Sequence, residues 1–307
     1  MEEMLDSAGV VGDPVRLRER LASDGYLFFR GLLPPGPVEE AATRVRSILR
    51  AGGWGELAAP PAAPSTGGRP RRAVLAKGVR DGAFLAASAS RPFNRIPYLP
   101  PLRGLIRDLL GADAFSYPFK VLRAVHPETA GNVPQGRHIH QDYGAASVDD
   151  MLTTWIPLMP IPRHVGGLAV RPGSNRSWPR IPRLLTPDER GWATVDYRVG
   201  DVLVFHCLTS HAALPNRSDG LRLSQDSRWQ SADLPAPARM VYGPNEHRTS
   251  ERELFSRLFS SQPWWEPIPP TVKVVDESNM VNFRPQSRFF RVHPTWALWQ
   301  KALKPVH

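Results

Sequence analysis

With a single cysteine, Cys207, in 307 residues, the chain cannot close an intrachain disulfide, which fits a reducing cytoplasm. No stretch approaches the roughly 18–20 apolar residues of a membrane span, so no membrane role is expected. The opening MEEMLDSAGV lacks the basic start and apolar run of a signal peptide. A basic helix and an interleaving of aromatic with basic residues are missing too. The formal charge of +10 and the pI of about 10.3 raise the question of nucleic acid. The arginines are scattered, however, and RPRR (69–72) is the only tight cluster, which argues against it. There is no internal repeat. What the chain does have is 41% hydrophobic residues, enough for a substantial core.

Patterning divides the chain. VRLRERLASDGYLFFRGLLPPGPVEEAATRVRSILRAGG reads as helix, strand, helix: Gly25 closes the first helix, YLFFRG is extended, Pro35 opens the second helix and Gly52–Gly53 end it. Residues 59–72 are rich in Pro and Gly and predict a mobile surface loop. PLRGLIRDLLG is a helix with a glycine stop. From Phe115 short extended segments alternate with turn residues: FSYPFKVLRAV, RHIHQDY, MLTTWIPLMPI, GGLAVRPGS, DYRVGDVLVFHCLTSHAAL and LRLSQDSRWQ. Strands at this spacing predict an all-β sandwich or barrel. One domain is expected, with a helical flank over 1–114, a β core over 115–230 and an extension over 231–307 packing on that core. The extension contains Trp264–Trp265, expected to anchor the tail, and HPTWALWQKAL, expected to be helical.

Within RHIHQDY, His138, His140 and Asp142 stand at alternate positions. In a strand they would share one face. That pattern alone is open to a metal site, a catalytic pair or chance. Downstream, His211 ends an apolar strand, and Arg222 and Ser224 follow on the next one. Two imidazoles and a carboxylate make the facial set of non-haem iron, leaving three positions for a chelating 2-oxo acid and dioxygen. A guanidinium suits the far carboxylate of 2-oxoglutarate, and Ser224 shares its strand face. Alternation turns His206 away from the site as a structural residue, and places Cys207 and Thr209 on the His211 face along the pocket wall.

In this order the pieces DGYLFFRGLL, HQD, TTWIPL, GGLAVRPGS and GDVLVFHCLTSHAALPN, with Arg222 eleven positions after His211, resemble the phytanoyl-CoA dioxygenase family. The resemblance covers roughly residues 15–230. It implies a mainly β fold with flanking helices, the double-stranded β-helix (a cupin-like jelly roll). It also implies iron(II) held by His140, Asp142 and His211, with 2-oxoglutarate as cosubstrate bound by Arg222 and Ser224 beside Trp155, and O2 as the oxidant. Many relatives carry a hydroxyl residue where this chain has Ala213, which places more of the cosubstrate on Arg222 and Ser224. Related halogenases lack the carboxylate of Asp142, so oxygenation is expected. His138 and Tyr143 are candidate substrate contacts. The expected activity is hydroxylation of a small molecule in bacterial secondary metabolism. A catalytically silent binding jelly roll and an oxygenase acting on a macromolecule remain as alternatives.

Overall fold

The computed structural model describes residues 1–54, 82–118, 120–128, 136–143, 148–176, 183–242, 268–275 and 287–289. The 59–72 loop, Trp264, Trp265 and the expected terminal helix lie outside them. In chain order the elements are β1 (Glu2–Glu3), α1 (Pro14–Asp24), β2 (Tyr26–Phe29), α2 (Pro35–Ala51), α3 (Gly82–Ser88), α4 (Arg91–Arg95), α5 (Pro100–Leu110), β3 (Phe115–Ser116), β4 (Val121–Val125), β5 (Leu152–Pro157), β6 (Leu168–Val170), β7 (Ala193–Thr194), β8 (Val202–His206), β9 (His211–Ala213), β10 (Arg222–Gln230), β11 (Ala236–Pro237), α6 (Ala238–Tyr242) and β12 (Val274–Val275).

Ten of the strands form the two sheets of a jelly roll, and β11 and β12 make a separate parallel pair. The smaller runs β1-β7-β6-β9; the larger runs β2-β8-β5-β10-β3, with β4 also on β10. Both sheets thus take a strand from the first thirty residues, so the N-terminal flank is structurally part of the roll as well as a helical cover for it. Every residue of β2, β5 and β8 is buried, because the larger sheet is covered on both faces. Such strands read as continuous apolar runs. Their outer face carries Leu27, Phe29, Leu152, Ile156, Val202, Val204, Leu223 and Trp229 in one cluster with the helices. The helices present Leu17 and Leu21 from α1, Val38, Ala41, Ala42, Val45 and Leu49 from α2, and Leu102, Leu105, Ile106 and Leu109 from α5. These follow the spacing of three and four that puts residues on one helix face, and each large aliphatic side chain stabilises the fold by roughly 1.5–3 kcal/mol.

Helix α1 begins where the Asp13 carboxylate accepts the Arg16 N–H at 3.1 Å, with Pro14 in the first turn. It ends at Gly25, which takes a left-handed φ of 79°. The carbonyl of Gly25 then accepts the His206 N–H at 3.0 Å and the Thr209 hydroxyl at 2.6 Å. One residue therefore joins helix α1, strand β2 and the turn between β8 and β9. That turn, 207–210, carries the chain from the larger sheet to the smaller one and delivers His211. A Cβ on Gly25 would lie 2.6 Å from the Thr209 hydroxyl oxygen and 2.7 Å from the Asn175 amide oxygen. Gly25→Ala is expected to destabilise the protein by about 2 kcal/mol or more. A urea midpoint equal to wild type would contradict this account.

Candidate metal and anion site

The segment 136–142 is not the regular strand that its alternation predicts. It forms isolated bridges, His138 to Leu184 and His140 to His211, and Asp142 lies in a turn. The His140–His211 bridge is two-way: the His140 N–H donates to the His211 carbonyl at 3.1 Å, and the His211 N–H returns the bond at 3.0 Å. A pair that exchanges both bonds points its side chains to one side, and the imidazole centroids lie 4.2 Å apart. Each ring is oriented by its own backbone. His140 Nδ1–H donates to the His138 carbonyl at 2.7 Å, and His211 Nδ1–H to the Thr209 carbonyl at 2.9 Å. A carbonyl can only accept, so both Nε2 lone pairs are free to bind a metal. Phe205 packs on the His211 ring, with centroids 4.4 Å apart.

Asp142 completes the cluster, its Oδ1 3.7 Å from His211 Nε2. One donor atom from each of His140, Asp142 and His211 lies within 4.8 Å of the others. The second oxygen, Oδ2, accepts the Thr153 hydroxyl at 2.7 Å and faces Arg228 Nη2 at 3.5 Å. Burial pushes the carboxyl's pKa up. The positive charge of Arg228, the two imidazoles and the Thr153 bond outweigh it and hold the group well below the usual carboxylate range. Burial, aided by His140, pushes His211 down to about 4. The cluster thus presents one carboxylate and a neutral buried imidazole, protonation states that metal ligation requires.

Along β10, Arg222, Ser224, Asp226 and Arg228 alternate onto the inner face. Arg222 is buried at 2% exposure. It donates from Nη1 to the Ser224 hydroxyl at 2.7 Å. Its guanidinium carbon lies 5.7 Å from the centroid of the Trp155 ring, which packs in turn on Tyr197. Burial pulls its pKa down to about 10, against the attraction of Asp226. Its Nε is buried with no hydrogen-bond partner. A buried cation with an unused donor fits an anionic ligand. Ala213, also buried, offers that ligand no hydroxyl.

Two expectations need correction. Tyr143 is buried at 1% among Phe115, Tyr117, Val148, Met151 and Cys207, leaving no ring surface for a substrate. Cys207 and Thr209 do not share a face with His211, because β8 ends at His206 and a turn breaks the alternation. Cys207 packs in the same cluster as Tyr143, and Thr209 binds Gly25. His138 has an exposed side chain and meets the site through its carbonyl. His206 is structural: Nδ1 accepts the Leu208 N–H at 3.1 Å, and Nε2–H donates to Asp150 at 3.0 Å. Sequence reasoning passed over Thr153, Asp226, Arg228 and Arg123, whose Nε binds Asp226 at 2.7 Å. The alternation of RLSQDSRW would have shown Asp226 and Arg228. Thr153 has no local signal.

A family model described as phytanoyl-CoA dioxygenase (PhyH) matches residues 21–224. The chain belongs to the phytanoyl-CoA dioxygenase family. Over 147 residues it is 30% identical to a 1-deoxypentalenic acid 11-beta-hydroxylase of Streptomyces exfoliatus, an overlap of 40% of this chain and 52% of the relative. Over 116 residues it is 34% identical to the enzyme of that name from Streptomyces arenae, covering 31% and 41%. The chain thus spans about half the length of these curated relatives. Two solved structures share the fold. The non-heme monooxygenase ThoJ has a TM-score of 0.52 at 21% identity, covering 72% of this chain and 79% of that one. The non-heme alpha-ketoglutarate-dependent carbocyclase SnoK has a TM-score of 0.51 at 18% identity, covering 76% and 88%. Among the described residues no helix is long and apolar enough to cross a membrane.

Thr153 tests the geometry of this family member directly. Thr153→Val keeps the shape and removes the bond to Asp142 Oδ2. Affinity for cobalt(II), read by titration of the chelator-treated protein, is expected to fall by about tenfold or more, the usual effect of losing a bond that orients a ligand. Unchanged affinity would show that Asp142 does not depend on it.

Proposed function

We propose that this protein is an iron(II)- and 2-oxoglutarate-dependent dioxygenase that hydroxylates a small organic molecule. The observation that carries this reading is the pairing of two features on one inner wall. One is a His-Asp-His cluster, with Asp142 and His211 buried and His140 half-buried, in which both Nε2 atoms are free. The other is a buried Arg222 with an unpartnered Nε beside the Ser224 hydroxyl.

In this reading His140 and His211 would hold the metal through Nε2 and Asp142 through Oδ1, the donor set suited to non-haem iron. The iron, with 2-oxoglutarate and O2, supplies the oxidising power to hydroxylate a C–H bond, with succinate and CO2 released. Arg222 neutralises the far carboxylate of 2-oxoglutarate, Ser224 adds a polar contact, and the Trp155 ring walls the cosubstrate. Thr153 keeps Oδ2 of Asp142 engaged, so that Oδ1 faces the metal. The carboxylate at 142 favours oxygenation over halogenation. The hydroxylases of Streptomyces among its relatives support a small-molecule substrate and a place in secondary metabolism. The buried, unpaired Cys207 agrees with a reducing cytoplasm.

Titrating 2-oxoglutarate into anaerobic iron-loaded protein, followed by its metal-to-ligand charge-transfer band, tests the reading. Arg222→Ala should weaken 2-oxoglutarate by about 2–4 kcal/mol, as expected when a buried carboxylate loses its partner. Iron affinity should change far less. Arg222→Lys should recover only part, since an ammonium cannot reproduce the guanidinium fork. Wild-type 2-oxoglutarate affinity in Arg222→Ala would move the cosubstrate elsewhere. Asp142→Gly should abolish hydroxylation, and chloride incorporation by the native protein would refute the assignment of oxygenation.

A further inference from the structure

Arg228 is the inward arginine of β10 to which the reading above gives no task. It stands directly opposite Thr153 across the β10–β5 ladder, so both side chains meet the same side of the sheet. Both approach Oδ2 of Asp142. The Thr153 hydroxyl bonds it at 2.7 Å, whereas Arg228 Nη2 stops at 3.5 Å. That is beyond the usual roughly 2.7–2.9 Å of a charge-assisted hydrogen bond. The guanidinium makes no hydrogen bond among the described residues. Its side chain keeps 17% exposure against 7% for Asp142, so a ligand entering beside the metal cluster can touch it. The residue also lies past the end of the family match at 224, so the match does not prescribe it.

The charges on this wall sharpen the point. Arg123 is balanced by Asp226 at 2.7 Å. If the proposed function holds, Arg222 is balanced by the far carboxylate of 2-oxoglutarate. The doubly charged metal is then balanced by Asp142 and the 2-oxo carboxylate. Among the described residues Arg228 then shares Asp142 with the metal and has no carboxylate of its own. A charge only partly compensated in a largely buried site is unfavourable, and a fork of N–H donors is best satisfied by a carboxylate.

We propose that Arg228 is the anchor for a carboxylate of the prime substrate, which is therefore a monoanionic organic acid. This rests on the iron- and 2-oxoglutarate-dependent reading and deepens it. Held beside Asp142, the carboxylate fixes which end of the substrate lies at the metal. A neutral ester or amide of the same skeleton loses that anchor.

The test uses the full chain, loaded anaerobically with iron(II) and 2-oxoglutarate. Binding of cyclohexanecarboxylate and of cyclohexanecarboxamide is measured by calorimetry. Wild type should bind the carboxylate at least about tenfold more tightly than the amide, a difference of one good ionic contact. Arg228→Met should abolish the preference, and Arg228→Lys should retain part of it. Iron affinity should hold in Arg228→Met, because the three ligands and the Thr153 bond that orients Asp142 remain. Equal binding of the two probes by wild type, or no binding of either, overturns the proposal, as does a preference that survives in Arg228→Met. A tenfold loss of iron in that variant makes Arg228 a prop for Asp142 and overturns it too. Failure of wild type to form the charge-transfer band strikes the underlying reading, and is seen before either probe is added.

Discussion

The site depends on one backbone constraint, the two-way hydrogen bond between His140 and His211. It joins a segment with little regular structure of its own to the start of a strand in the smaller sheet. Because the partners exchange both bonds, the imidazoles have no choice of side. A slip of one residue in this pairing would turn one ring away from the other. The carbonyls two residues upstream of each histidine then fix the ring orientation. The cluster is built by backbone first and side chains second, and that accounts for two histidines 71 residues apart (211 − 140) meeting at a 4.2 Å ring separation.

The larger sheet supplies the other half. Its outer face is apolar and holds the helices, while the inner face of β10 carries Arg222, Ser224, Asp226 and Arg228. A strand buried on both faces gives no amphipathic signal in β5 or β8. In β10 the inner face is charged, whereas the outer face mixes Leu223 and Trp229 with Gln225 and Ser227. Arg123 and Asp226 neutralise one another within that wall, so its net positive charge resides in Arg222 and Arg228. The two faces of one strand therefore serve two ends: the outer one fastens the roll to its helices, by apolar contact and by the Gln225 bond to the Phe93 carbonyl, and the inner one sets the field at the site.

Much of this was legible in the sequence. Helices α1 and α5 were marked by their glycine stops, and β10 by the turn residues that bound an extended segment. The jelly roll was legible from the rhythm of short strands together with the family resemblance. Legibility stopped where geometry is tertiary. Asp142 reaches the cluster from a turn, so the strand argument named the right neighbours for an incomplete reason. Cys207 and Thr209 were placed by extending an alternation through a turn whose beginning the apolar run VLVFHCL conceals. Tyr143 looked like a pocket residue because it follows Asp142, and nothing local shows that its ring packs among Phe115, Val148 and Met151. Thr153 and Asp142 are joined only by folding.

The buried carboxylate of Asp150 has a consequence for where this molecule can be cut. It accepts from His206 at the end of β8, and from the Ser287 hydroxyl at 2.5 Å and the Arg288 N–H at 2.7 Å. Asp150 also adopts a positive φ of 53°, an uncommon conformation for a non-glycine residue. The segment matched by the family ends at 224, inside β10 and far short of these partners. Trimming to that boundary would sever the strand that carries Arg228 and strip two donors from a buried anion beside the turn leading to His211. The segment that holds this fold together accordingly runs past the one the family model matches, and Ser287 and Arg288 belong to it.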